Sequence, residues 1–199
     1  MKQYKTNPEL INYDILHKAI KYFGKHGFQQ IEVPWRVSKE AIEGTFNSDN
    51  SFTTEDKFLI GSAEQGFLEL KLKNKLHHNQ LMSVSPCFRN ETEDYFHQQE
   101  FLKLELIYFS NHPINQEDIQ YIAFRRFVIN FIIKKLKIKY GEIVIMQTKD
   151  KSSIWSEDIL INGIEYGSYG IRKFQDSYYV YGTGVALPRV SKIIESLNR

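Results

Sequence analysis

Residues 87–105 read CFRNETEDYFHQQEFLKLE, and this stretch decides the fold class. The segment from Leu81 to Arg89 reads as a strand that ends on an arginine, and a polar loop follows it over residues 90–98. The chain then returns as a second strand from Gln99 to Tyr108. We therefore predict two strands joined as a long hairpin, which favours an antiparallel sheet.

The chain before this hairpin is predicted to hold two helices, two strands and a long loop. The first helix opens at Asn7-Pro8, an N-cap type of residue followed by proline, and its apolar residues keep helical spacing up to Gly24. The other elements are, in order, a strand over Gly27 to Pro34, a polar loop over residues 38–56, a strand over Lys57 to Ile60 and a helix over Ala63 to Leu76.

The chain after the hairpin lacks the regular strand–helix alternation of a doubly wound parallel fold. Its predicted elements are a helix over residues 116–138, strands over Glu142 to Gln147, Asp158 to Lys173 with a glycine break and Ser177 to Val185, and a helix over Pro188 to Leu197. We therefore predict an α+β fold in one domain over residues 1–199, with a six-stranded, mainly antiparallel sheet flanked by helices.

Composition excludes several classes of protein. Lys and Arg number 26 against 24 Asp and Glu, and this net charge of +2 is too small for a protein that binds polyanions by bulk charge. Cys87 is the single cysteine, which excludes an intramolecular disulfide and a cysteine-based zinc cluster. The sequence shows neither a signal-peptide core nor an apolar run of the roughly 18–20 residues that a membrane span needs. We expect a cytoplasmic protein with no membrane partner.

Three separated segments carry candidate chemistry. They are the predicted strand Gly27 to Pro34, the hairpin with Arg89 and Phe101, and the glycine-rich run Tyr181 to Arg189, which reads YGTGVALPR. The guanidinium of an arginine suits a phosphate oxygen, and a phenylalanine ring offers a flat face on which a base can stack. A glycine-rich strand that enters a helix N-terminus also favours polyphosphate, although this run is neither a Walker loop nor a dinucleotide fingerprint.

The order and spacing of these segments resemble motifs 1, 2 and 3 of the class II aminoacyl-tRNA synthetases. Residues 158–172, DILINGIEYGSYGIR, are similar to a strand of the aspartyl/asparaginyl branch, with the acidic residue, Asn-Gly, Glu and Arg at matching offsets. The resemblance covers about residues 10–197. It implies the antiparallel class II fold, a homodimer formed through the motif 1 helix and strand, and activation of aspartate, asparagine or a close analogue with ATP and Mg²⁺.

The resemblance also implies a role for each candidate residue. The implied ATP contacts are Arg89, Glu91, His97, Phe101, Gly184 and Arg189, of which the two arginines Arg89 and Arg189 are also the implied catalytic residues. The implied Mg²⁺ ligands are Asp158 and Glu165, and carboxylate oxygens are the ligands this ion prefers. The implied amino-acid contacts are Gln65, Glu105, Gly167 and Arg172, with Arg172 clasping a side-chain carboxylate or amide.

Several positions depart from the family pattern. Ala186 and Pro188 replace the usual glycine and acidic residue of motif 3, and Leu68 stands where the aspartyl branch has a lysine, which favours the asparaginyl pattern. The acidic loop over residues 90–97 and the lack of an anticodon-binding domain predict an acceptor other than a tRNA recognised through its anticodon. Ammonia, a carrier protein, a peptide, a small amine and a modified nucleotide all stay open as acceptors. The alternative is a non-catalytic paralogue that senses an amino acid or nucleotide as a regulatory subunit, but the intact phosphate-binding set favours catalysis.

Overall fold

The computed structural model describes residues 10–45 and 51–198, and it has the predicted α+β architecture. In chain order its elements are α1 (Tyr13–Lys25), β1 (Gln29–Gln30), β2 (Arg36–Val37), α2 (Lys39–Glu43), β3 (Thr53–Thr54), β4 (Lys57–Leu59), α3 (Ala63–Leu72), β5 (Gln80–Phe88), β6 (Glu100–Ser110), α4 (Ile119–Lys135), β7 (Ile143–Gln147), β8 (Trp155–Ile161), β9 (Ile164–Phe174), β10 (Ser177–Leu187) and α5 (Arg189–Leu197). None of the helices in the described ranges has the length and apolarity needed to cross a membrane.

The main sheet has seven strands in these ranges, in the order β1-β5-β6-β10-β9-β8-β7, so the predicted number of six was wrong. The sheet is mixed, because β1 pairs in parallel with β5 while all the other neighbours are antiparallel. The segment predicted as one strand from Asp158 to Lys173 is the hairpin β8–β9. Its turn is Asn162-Gly163, and both residues have positive φ (50° and 78°), as in the tight turns that favour this dipeptide.

The segment between α1 and β5 differs most from the prediction. The predicted strand Gly27 to Pro34 pairs with the sheet only at β1, because Val33 turns away to pack under α3, where a Cβ on Gly66 would lie 2.6 Å from the Cβ of Val33. The predicted loop over residues 38–56 contains α2, which is capped by Ser38, and β3. A second small sheet has the order β2-β4-β3, and residues 46–50 lie outside the described residues.

Helices cover both faces of the main sheet. On one face α1, α4 and α5 enclose a core that includes Phe23, Phe131 and Ile193, and on the other α2 and α3 enclose a core that includes Ile42 and Phe67. Helix α1 begins at Tyr13 because the side chain of Asn12 caps it, and Leu10 lies outside it. The predicted start at Asn7-Pro8 falls outside the described residues. Helices α3 and α4 are shorter than predicted.

Candidate active site

A cavity of about 720 Å³ opens on the face of the sheet that α3 partly covers. Its floor includes Phe101, Lys103 and Glu105, alternate residues of β6 that point to the same side of the sheet. The N-terminal turn of α3 forms one wall, and the loop over residues 148–153 between β7 and β8 forms another. The strand pattern thus brings polar side chains from distant parts of the sequence to one place.

Eight of the predicted site residues line this cavity: Gln65, Arg89, Phe101, Glu105, Asp158, Glu165, Arg172 and Arg189. The structure brings together parts of four separated segments, as the resemblance implied. The other four, Glu91, His97, Gly167 and Gly184, do not line it.

For three of these four residues, the contacts in the structure show what the residue does away from the cavity. A Cβ on Gly184 would lie 2.3 Å from Cδ2 of Leu104, so this glycine permits close packing with the core. Similarly, a Cβ on Gly167 would lie 2.3 Å from the Cβ of Thr183, which does line the cavity. His97 lies in the β5–β6 loop with Nδ1 2.7 Å from the carboxylate of Asp94.

Two arginines lie at the end of the cavity that the resemblance assigns to ATP. The guanidinium of Arg89 lies 5.2 Å from the ring centroid of Phe101, and its Nε donates to the carbonyl of Gly61 at 3.0 Å. Arg189, in the first turn of α5, donates from Nη1 to Oε1 of Glu165 at 2.9 Å. Both cations are therefore positioned by contacts within the chain, near the half-buried ring of Phe101.

Asp158 on β8 and Glu165 on β9 are the carboxylates that could take part in Mg²⁺ binding. Burial raises the pKa of Asp158, a hydrogen bond from Ser168 opposes this shift, and the charge of Glu165 adds to it. A cation between the two carboxylates would relieve their repulsion. No group of three or more His, Cys, Asp or Glu in the described ranges has metal-binding geometry. Mg²⁺ is often held by one or two carboxylates and takes its other ligands from phosphates and water.

A buried polar network lies at the start of α3. Glu105 accepts hydrogen bonds from Lys103 Nζ at 2.7 Å and from the hydroxyl of Ser62, the N-cap residue of α3. Burial alone would raise the pKa of Glu105, but the Lys103 ammonium and the Ser62 hydroxyl hold it below its usual value. Gln65 accepts from the backbone N–H of Gly61 at 2.8 Å and donates to Thr45 Oγ1 at 3.0 Å, so its amide helps to shape the wall.

Arg172 on β9 lies at the other end of the cavity, in a cluster that we call the Arg172 cluster: Glu64, Asp150, Ser153, Arg172, Tyr179 and Tyr181. Its Nη1 donates to Glu64, its Nη2 to Asp150 and its Nε to Ser153 Oγ. The guanidinium also lies 4.0 Å from the ring centroid of Tyr181, and the hydroxyl of Tyr179 donates to Glu64 at 3.0 Å. Burial raises the pKa of Glu64, and the charge of Arg172 opposes that shift.

The sequence interpretation missed Glu64 and Asp150. Glu64 is next to Gln65 in the first turn of a helix, and an acidic residue there is ordinary because it offsets the helix dipole. Asp150 lies in a polar linker that carries no motif. Their contacts with Arg172 span 108 and 22 positions of the chain, and only the fold reveals such pairs.

Solved structures identify this architecture as the catalytic-core fold of the class II aminoacyl-tRNA synthetases. A pyrrolysyl-tRNA synthetase from Desulfitobacterium hafniense superposes with a TM-score of 0.72 and 17% identity over 92% of this chain and 69% of its own. The seryl-tRNA synthetase from Pyrococcus horikoshii, solved in complex with ATP, gives 0.70 and 18% over 93% of this chain and 51% of its own. The predicted class II fold is confirmed, and no family model matches the sequence.

Curated relatives in sequence are serine–tRNA ligases. The one from Dichelobacter nodosus is 28% identical over 157 residues, and the one from Teredinibacter turnerae is 25% identical over 154. Each match covers 65% of this chain but only 36% and 35% of the relative, so the chain spans about a third of their length. These matches do not support the aspartyl/asparaginyl branch that residues 158–172 indicated.

Proposed function

We propose that this chain activates an amino acid with ATP and forms an aminoacyl-adenylate. The observation that carries the proposal is the convergence of eight residues, from motif-like segments far apart in sequence, on one cavity in a class II catalytic-core fold. Phe101 would stack against the adenine, and Arg89 would contact the α-phosphate. Arg189 would approach the γ-phosphate from the start of α5.

The chemistry asks mainly for positioning and charge. The carboxylate of the amino acid attacks the α-phosphorus in line and pyrophosphate leaves, so two negatively charged groups have to meet. Arg89 would stabilise the charge that develops on the α-phosphate oxygens. Mg²⁺ held by Asp158 and Glu165 would neutralise phosphate charge. No general base is needed, because the attacking carboxylate is already ionised at pH 7.

Two features bear on the substrates. Arg172, at the amino-acid end, favours a polar side chain such as that of aspartate, asparagine or a close analogue. The β5–β6 loop presents Glu91, Glu93 and Asp94 where an RNA acceptor would require cations. We therefore propose an acceptor other than a tRNA recognised through its anticodon, such as ammonia, a carrier protein or a small amine.

The direct test is ATP–pyrophosphate exchange with each amino acid in turn. One amino acid should support exchange, and Arg89→Ala should reduce the rate by roughly 10²–10³ because a preorganised charge contact is lost. Arg126→Ala, which removes an exposed arginine from α4, is the matched control and should leave the rate unchanged. Circular dichroism should show both variants folded. ATP binding by calorimetry without exchange for any amino acid would favour the nucleotide-sensing alternative and contradict catalysis.

We also propose a homodimer formed through α1 and the segment that follows it. Trp35, which comes directly after Pro34, is 55% exposed although it is a large aromatic residue, and it borders a second cavity of about 660 Å³. Covering such a residue is a usual function of a subunit interface. Light scattering should give twice the chain mass of 23.5 kDa, and Trp35→Glu should shift the protein to monomer. A wild-type monomer at micromolar concentration would contradict this proposal.

A further inference from the structure

The contacts of Arg172 do not match those expected of a free receptor for a substrate carboxylate. Each of its three side-chain nitrogens already donates to a group of the chain: Nε to Ser153, Nη1 to Glu64 and Nη2 to Asp150. A substrate carboxylate binds an arginine best through two parallel hydrogen bonds to its planar fork. That fork is occupied by two carboxylates of the protein itself.

The charge of the cluster also opposes an acidic side chain. Glu64 and Arg172 are 4% and 6% exposed, so each is the main counterion of the other in a site that water screens poorly. Asp150 adds a second negative charge, and the three groups together carry −1 when ionised. Lys149 and Lys151 flank Asp150 on the loop, but both are exposed, and solvent and salt weaken their charges. In the neighbouring buried network, the charge of Lys103 is already balanced by its ion pair with Glu105, so it does not offset the negative charge of the cluster.

Asp150 is held on Arg172 by its own loop. Its Oδ1 accepts from the backbone N–H and the hydroxyl of Ser152 at 2.9 and 2.8 Å, and its Oδ2 accepts from the hydroxyl of Ser153 at 2.7 Å. Its backbone N–H donates to Ser156 Oγ at 3.2 Å. A substrate carboxylate would have to break this set of contacts to take the place of Asp150. With the bond from Arg172, Asp150 accepts four hydrogen bonds and has no acceptor site left. Glu64 accepts from Arg172 and Tyr179 through Oε1, so a hydroxyl or amide can instead donate to its Oε2.

We propose that Asp150 is a specificity-determining residue that excludes side-chain carboxylates from Arg172, so that the site takes an amino acid with a neutral hydrogen-bond donor, an amide or a hydroxyl. This inference rests on the proposed function and revises its substrate class: aspartate is excluded, an amide such as that of asparagine is kept, and a hydroxyl is added. It assigns Arg172 the task of holding both carboxylates in place, Glu64 as the acceptor and Asp150 as the charge that excludes an acidic side chain. The substrate side chain then donates to Oε2 of Glu64.

The test compares asparagine, serine and aspartate on the wild type and on Asp150→Ala. Affinities are measured by calorimetry in the presence of a non-hydrolysable ATP analogue, and turnover by pyrophosphate exchange. The wild type should bind one of the two neutral amino acids at least about tenfold more tightly than aspartate, because juxtaposed like charges are costly. Asp150→Ala should reduce that ratio at least about tenfold, whereas Asp176→Ala, which removes an exposed charge in the β9–β10 turn, should leave it unchanged.

The outcomes separate this inference from the proposed function. Selective binding of a neutral amino acid without pyrophosphate exchange would refute activation while supporting the role of Asp150. A wild type that prefers aspartate, or a ratio that Asp150→Ala does not change, would overturn the inference even if exchange is observed. Binding of none of the three amino acids would overturn the inference, and the proposed function would also fall if no other amino acid supported pyrophosphate exchange. Asp150→Asn, which keeps the shape of the side chain, is the second variant if the alanine variant fails to fold.

Discussion

Replacing Arg172 with alanine should destabilise the protein by about 3–5 kcal/mol, because the carboxylate of Glu64 would stay buried without its cation. The structure sets this magnitude, since Glu64 is only 4% exposed and depends on Arg172 and Tyr179 for its hydrogen bonds. Asp150 should add little to the loss, because a third of its side chain is exposed and water can replace the arginine. The prediction differs from that for a simple substrate ligand, whose removal would leave stability almost unchanged.

Urea denaturation followed by tryptophan fluorescence measures this loss, and an unchanged m-value would show that the transition stays comparable. Arg126→Ala is the matched control and should stay within about 0.5 kcal/mol of the wild type. The double variant Glu64→Leu/Arg172→Met should be more stable than Arg172→Ala alone, because an apolar pair of similar volume avoids the unpaired buried charge. A loss below about 1 kcal/mol for Arg172→Ala, or a double variant less stable than the single one, would refute the reasoning.

Two further predictions concern packing and pH. Gly184→Ala should lower the free energy of unfolding, measured by urea denaturation, by about 1–3 kcal/mol, because the new Cβ would lie 2.3 Å from Leu104 Cδ2. Gly141→Ala is the control, because no atom lies within 4 Å of a Cβ at that position. Equal losses of stability in the two variants would contradict the packing argument. Burial would raise the pKa of Asp150, but hydrogen bonds from Ser153 and Arg172 lower it from 3.8 to about 2. The ionised carboxylate therefore contributes its full stabilisation above pH 3.8, and this contribution is lost as the pH falls through 2. The melting temperature of the wild type should therefore fall more steeply over this range than that of Asp150→Ala, and parallel curves would contradict the shift.

Local chemistry explains why parts of the fold could be predicted from the sequence. The long hairpin β5–β6 was predicted because both strands and the polar loop between them lie in one continuous stretch. The turn at Asn162-Gly163 carries an equally local signal, but the sequence interpretation treated residues 158–173 as one strand with a break, and the strand number was therefore wrong. The segment after α1 could not be predicted locally, because packing of Val33 against α3 takes the chain out of the sheet.

The residues of the candidate site also differ in how far the sequence could predict them. The residues that the resemblance assigns to ATP could be named from the sequence because they lie in ordered motifs whose spacing carries information along the chain. Arg172 is the one member of the Arg172 cluster that the sequence interpretation assigned to the site. Its partners come from the start of α3 and from the loop before β8, far from it in sequence. Charge pairing across the fold decides whether an arginine receives a substrate or holds other side chains, and no local pattern records that difference.

The first turn of α3 joins the Arg172 cluster to the buried network around Glu105. The hydroxyl of Ser62 accepts from the N–H of Glu64 as the helix cap and donates to Glu105, while the carboxylate of Glu64 accepts from Arg172. Gln65 completes the capping box by accepting from the N–H of Ser62. The N-cap hydroxyl of Ser62 thus connects the first turn of α3, which carries Glu64, with the buried carboxylate of Glu105. Because these hydrogen bonds lie within the chain, they hold Glu64 and Glu105 beside the start of α3, and under the proposed function an amino acid would meet two carboxylates that are already in position.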